Sequence, residues 1–165
     1  MAPFWGKYRG IVTDNDDPYR IGRIRARVPD VFGLSAESGW ATPCAPFGGN
    51  AAGFFALPSV GTGVWMEFEH GDPDYPIWSG CLWGTSAEMP TTLVSPSEQV
   101  LIVTAGGTSI TLSDVAGKAG ITLETAGGAK ITMTSTGIEL DNGNGATVKL
   151  NGSSVSVNDG ALDVA

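Results

Sequence analysis

The chain has 165 residues, 9 Lys plus Arg against 17 Asp plus Glu, a formal net charge of −8, one His and two Cys. That charge balance excludes a sequence-independent grip on DNA, RNA or anionic lipid. One histidine leaves little room for His-based catalysis or a multi-His metal site, and two cysteines are no disulfide framework. With 24 Gly, 42% hydrophobic and 16% charged residues, the composition points to many short strands and tight turns, an all-β chain. No apolar run approaches the roughly 18 residues of a membrane-spanning helix. The start, MAPFWGKYRG, lacks the basic head and apolar stretch of a signal peptide, so assembly in the cytoplasm is expected.

The composition divides along the chain. Every aromatic lies at or before Trp83, every proline at or before Pro96, and Cys44, Cys81 and His70 fall in the same part. Residues 100–165 hold no aromatic, Pro, Cys or His. Two architectures therefore share one chain, and the spacing predicts a first domain over residues 1–84, a linker over 85–99 and a second domain over 100–165. The linker, TSAEMPTTLVSPSEQ, is polar and carries Pro90 and Pro96.

The first domain reads as strands. TDNDDPY near residue 15 is turn chemistry, and its paired Asp16 and Asp17 suit a turn better than a glycosidase pair. GRIRARV alternates, with Ile24, Ala26 and Val28 on one face and Arg23, Arg25 and Arg27 on the other. The arginine face suits solvent or an inter-subunit charge pairing with Glu67 or Glu69 better than a ligand groove. Gly48-Gly49-Asn50 is no phosphate loop, because no Lys-Ser/Thr follows. Phe54-Phe55 suits either a core or a contact with a neighbouring protein. VWMEFE alternates too, with Val64, Met66 and Phe68 on one face and Trp65, Glu67 and Glu69 on the other.

His70 follows in EHGDPDYP, which reads as a strand end plus turn, with Asp72 or Asp74 capping backbone, and matches no calcium or zinc spacing. PIWSGCLW, Pro76 to Trp83, is β-prone, with a glycine that permits a bulge. Trp65, Trp78 and Trp83 suit a barrel core or subunit contact better than a sugar platform. Cys44 and Cys81 are expected as free, buried thiols. No stretch shows 3.6-residue periodicity with caps. About five strands in some 85 residues is the size of a small closed barrel, for which the OB fold is the obvious candidate.

The second domain is a repeat. Apolar-x-apolar triplets recur as Leu101–Val103, Ile110–Leu112, Ile121–Leu123, Ile131–Met133, Ile138–Leu140, Val148–Leu150, Val155–Val157 and Leu162–Val164. Thr104-Ala105-Gly106-Gly107 returns as Thr125-Ala126-Gly127-Gly128, and Gly or Asn-Gly separates most triplets. One such strand buries almost nothing, so stability has to come from stacking. A core of Ile, Leu, Val, Met and Ala without aromatics is narrow. A triangular prism of three identical chains has such a core, which favours an obligate homotrimer. Eight layers at about 4.8 Å give a shaft of roughly 38 Å.

The segments YRGIVTDNDDPYRIGRIRARVP and GFFALPSVGTGVWMEFEHGDPDYPIWSGCLWG, followed by the Gly-punctuated Ile-Thr-Leu tail, resemble the central spike family of contractile injection machines. That family includes phage baseplate assembly protein V, the core of T4-type tail spikes and the corresponding part of VgrG proteins. The resemblance implies an N-terminal OB-fold barrel and a C-terminal intertwined triple-stranded β-helix, as a homotrimer. It implies a mechanical, non-enzymatic role at the front of an inner tube, with transient contact to the target-cell envelope. No lysozyme insert separates the two domains here. The His-x-His iron apex of some phage spikes is not expected either, since no His follows His70.

Three site expectations follow. The trimer core comprises Ile110, Leu112, Ile121, Leu123, Ile131, Met133, Ile138, Leu140, Val148, Leu150, Val155 and Val157. A tail tube, hub or baseplate protein meets the barrel. A PAAR-type tip protein docks on Ala161, Leu162, Asp163 and Val164, where the last triplet presents an uncapped edge. No catalytic residue, cofactor, metal or nucleic-acid partner is expected. The alternative is a trimeric OB-fold module that binds carbohydrate or nucleic acid.

Overall fold

The computed structural model describes residues 3–90, 98–117 and 120–164, with the side chains of Asp163 and Val164 left out. Residues 91–97 of the expected linker lie outside the described residues. The chain forms two compact units, residues 1–88 and 89–165.

In the first unit, β1 (Tyr8–Asp14), β2 (Arg25–Arg27), β3 (Thr42–Pro43), β6 (Gly63–Phe68) and β7 (Pro76–Leu82) form one sheet in the order β2-β1-β6-β7-β3. A small hairpin of β4 (Gly48–Gly49) and β5 (Ala52–Gly53) stands apart from it. The large sheet closes on itself. Just before β2 and β3, Ile24 and Ala41 exchange both backbone hydrogen bonds, at 3.2 and 2.8 Å. Closure removes the exposed sheet edges that promote mispairing.

The barrel interior is what the alternation predicts. Ile24, Ala26, Val28, Val64 and Met66 are fully buried, with Val12 and Ala41 beside them. Burying each large side chain contributes about 1.5–3 kcal/mol. Gly10 is small for a packing reason: a Cβ there would stand 3.0 Å from Met66 Cγ. The rings of Phe4, Tyr8 and Phe32 pack around Phe68 with centroids 5.7–6.1 Å away. The bulge is real: Met66 opposes Trp78 while Val64 opposes Cys81, which leaves one extra residue in β7 near Gly80. Gly80 has φ 144°, a conformation other residues resist.

The structure sorts these readings, and the burial of the two thiols needs correction. Within the one chain, Arg23 pairs with Asp17 at 2.6 Å, whose turn lies directly before β2, and Glu67 pairs with Lys7 at 3.0 Å. Cys44 and Cys81 are free as expected, yet both are exposed. Of the three tryptophans, Trp78 packs against the core, while Trp83 is exposed and Trp65 lies on the other face under Arg9. Phe54 and Phe55 are exposed, since they follow the outlying β4–β5 hairpin. A one-turn helix, α1 (Pro29–Phe32), was not expected. Four residues are too few to show helical periodicity.

The second unit is a single antiparallel meander. β8 (Gln99–Val103), β9 (Ser109–Ser113), β10 (Gly120–Glu124), β11 (Lys130–Met133), β12 (Gly137–Asp141), β13 (Thr147–Asn151), β14 (Ser154–Val157) and β15 (Leu162–Val164) pair in chain order. Each triplet from Ile110 onward lies in its own strand. The first triplet is misplaced by one residue: β8 puts Val100 opposite Leu112 and Ile102 opposite Ile110, so Leu101 opposes Thr111 on the other face. Four consecutive apolar residues, Val100–Val103, hide the period-2 signal there. A one-residue slip exchanges the two faces.

Candidate functional site

The pairing registers build two parallel apolar rows on one face of the meander. One row runs Val100, Leu112, Ile121, Met133, Ile138, Leu150, Val155. The other runs Ile102, Ile110, Leu123, Ile131, Leu140, Val148, Val157. β15 continues the register, with Val164 opposite Val155 and Leu162 opposite Val157. All twelve expected core residues therefore share one face. Its large side chains are half uncovered: Ile102 is 52% exposed, Leu112 43% and Leu140 41%. Soluble monomers rarely expose an apolar surface this continuous.

The second row lies in a groove of about 680 Å³. Thr108, Thr125, Ala129, Asn142, Ala146 and Asn158, from the turns along one long edge of the sheet, line its side. These turns stack on one another. Gly143 packs so close to Gly128 and Ala129 that an added Cβ would stand 2.9 Å from their backbone. Gly137 opens β12 against the carbonyl of Leu150 with no room for a side chain. The repeated Thr-Ala-Gly-Gly motifs close their turns identically: Gly107 donates to the Thr104 carbonyl at 2.9 Å and Gly128 to the Thr125 carbonyl at 3.0 Å.

From β9 onward the opposite face is polar. Thr111, Thr122, Thr132, Glu139, Lys149 and Ser156 form its central row. Lys149 sits between Asp159 at 2.6 Å and Glu139 at 3.5 Å. The Asp159 hydrogen bond, reinforced by Glu139, holds the Lys149 ammonium above the ordinary lysine range. Lys130 stands opposite Glu124 on one side and Asp141 on the other. One face thus suits water and the other suits burial.

In the barrel, Asp17 and Arg23 satisfy one another, while the buried Arg25 Nε finds no hydrogen-bond partner in the single chain. Asp17 accepts hydrogen bonds from the backbone N–H groups of Tyr19, Ile21 and Arg23 and from the Arg23 guanidinium. That guanidinium holds the Asp17 carboxyl well below the usual carboxylate range, against the opposing effect of burial. Arg23 also lies over Tyr19, 4.3 Å from its ring centre, and Arg25 lies 5.0 Å from that of Trp40. Sequence reasoning read Asp17 as an ordinary turn residue. The signal available was an Asp six residues before the first arginine of an alternating strand. The turn reading of His70 holds: Asp72 accepts from the Asp74 N–H, and the Glu69 N–H donates to the Tyr75 carbonyl. The expected docking residues Ala161 and Leu162 are exposed at the edge of the described sheet. The side chains of Asp163 and Val164 lie outside the described residues.

Comparison with known proteins places both units. Residues 8–83 match the family described as the type VI secretion system/phage-baseplate injector OB domain. Residues 99–163 match the phage baseplate V C-terminal trimerisation domain. The type VI secretion system spike protein VgrG4b of Pseudomonas aeruginosa is 32% identical over 74 residues, 43% of this chain and 9% of that protein. The actin cross-linking toxin VgrG1 of Vibrio cholerae is 31% identical over 105 residues, 59% of this chain and 10% of that protein. The chain spans about a tenth of the length of these curated relatives.

Proposed function

Since the chain belongs to the phage-baseplate and type VI secretion injector family, with its OB domain and its C-terminal trimerisation domain, we propose that it is the central spike of a contractile injection machine. Three copies bring their apolar faces together as a triangular prism, and the polar faces turn outward. The role is mechanical and non-enzymatic: the trimer rides at the front of an inner tube and pierces a target envelope. The observation that carries this reading is the unbroken, half-uncovered apolar ladder, which coincides with the residues matched by the trimerisation domain. A row of three desolvated side chains per layer turns that exposed surface into a core.

The partners follow from the two units. The exposed Phe47, Phe54 and Phe55 around the β4–β5 hairpin supply an apolar contact for a tail tube, hub or baseplate protein. A PAAR-type tip protein covers the edge at β15, whose outer backbone groups lack a neighbouring strand among the described residues. The protein assembles in the cytoplasm and acts as a component of a phage-tail-like or secretion particle. Light scattering on the purified protein tests the assembly. A mass about three times the 17.0 kDa chain is expected, and a stable, well-folded monomer overturns the reading. Mixing the trimer with the tip protein encoded beside it tests the tip: one tip per trimer is expected. Deleting residues 160–165 removes that binding while leaving the trimer intact.

A further inference from the structure

The two apolar rows are not equivalent, and a three-fold assembly has a use for that difference. Residues Ile110, Leu123, Ile131, Leu140, Val148 and Val157 line the groove walled by the stacked turns, and none of the other row's residues lines it. In a ring of three no pairwise interface is a two-fold, self-complementary patch, although a residue at the axis meets its own copies. Each copy has to offer two different patches, one to each neighbour.

The composition of the layers points the same way. In β9 to β14 the first residue of each triplet is β-branched, and in β9 to β13 the third is Leu or Met: Ile110/Leu112, Ile121/Leu123, Ile131/Met133, Ile138/Leu140 and Val148/Leu150. Because the strands run antiparallel, the β-branched residue alternates between the rows from one strand to the next. Like-with-like packing would stack Leu on Leu in one layer and Ile on Ile in the next. Packing one row on the other, within a layer, sets one stiff β-branched chain against one Leu or Met, which is not branched at Cβ, every time. Such pairs keep the filled volume even along the stack.

We propose that each copy seats its Leu112-Ile121-Met133-Ile138-Leu150 row in the groove over its neighbour's Ile110-Leu123-Ile131-Leu140-Val148 row, strand for strand. This rests on the trimeric reading above and specifies which surface meets which.

Cysteine pairing tests it in the intact chain with Cys44→Ser and Cys81→Ser as background. The double variant Ile131→Cys/Met133→Cys, oxidised as the assembled protein, is expected to shift on non-reducing denaturing gels from one chain mass to three. Two cysteines on the same face of one strand stand about 6.6 Å apart with parallel side chains, so they pair poorly within a chain. Each single variant is expected to stay at one chain mass. Covalent dimers from either single variant overturn the proposal in favour of like-with-like packing. A double variant that scatters as a trimer yet forms no interchain bond also overturns it. Should the β11 pair disturb assembly, Ile138→Cys/Leu140→Cys reads the same contact one strand on, with the same outcomes. Failure of the trimer itself shows separately, as a one-chain mass for the unsubstituted protein.

Discussion

Asp17 and Arg23 form the most tightly tied polar pair of the barrel: one carboxylate oxygen receives both Nε and Nη2 of the guanidinium, at 3.0 and 2.6 Å. The other carboxylate oxygen holds the Ile21 and Arg23 N–H groups, so the pair fixes the whole 17–23 turn that feeds β2.

The pair makes the barrel acid-sensitive. The folded carboxyl titrates below its ordinary value, so its stabilising effect is present above the unfolded value, about 3.9, and is lost as the pH falls through the folded one. Asp17→Asn is expected to lower the melting temperature at pH 7, and the gap to the unsubstituted protein should shrink below about pH 4. Tryptophan fluorescence reads the barrel alone, since every Trp lies at or before Trp83. A gap independent of pH would show that the pair contributes nothing.

Ile24 tests the closure of the sheet. It is fully buried and its backbone makes the closing bonds with Ala41. Ile24→Ala keeps those bonds and opens a cavity, which costs about 2–5 kcal/mol. Denaturant unfolding followed by tryptophan fluorescence is expected to show that loss, while light scattering at low denaturant still reports the trimer.

Neighbouring residues of β10 test the two faces. Ile121 opposes Met133 in the apolar ladder, and Thr122 opposes Thr132 on the polar side. Ile121→Asp places three carboxylates near one another in an apolar core, and burying an unpaired charge costs several kcal/mol. Light scattering is expected to give a one-chain mass for Ile121→Asp and an unchanged mass for Thr122→Asp. Equal assembly of both would show that the apolar ladder is not the interface.

Lys149 tests the polar face. Its two acidic neighbours raise its folded titration point, so its contribution is present below the ordinary lysine value and is lost as the pH rises through the raised one. Lys149→Glu brings three acidic groups together. The variant is expected to melt earlier than the unsubstituted protein at low salt, with the difference narrowing as salt screens the repulsion. Melting curves at two ionic strengths measure it.

Much of the molecule was legible in its residues. The alternations of GRIRARV and VWMEFE fixed which side chains fill the barrel, because side chains of a strand point to opposite faces in turn. The glycine-punctuated triplets likewise assigned Ile110 to Val157 to one face. Local pattern determined these because each needs only the two-residue period and a turn. It failed at Val100–Val103, where an unbroken apolar run carries no period, and the pairing with β9 set the register instead. Only the tertiary structure decided that both cysteines stay exposed and that Trp78 turns inward while Trp83 does not. Those outcomes depend on how the sheet curls and closes, which brings together residues far apart in the chain and leaves no periodic trace in it.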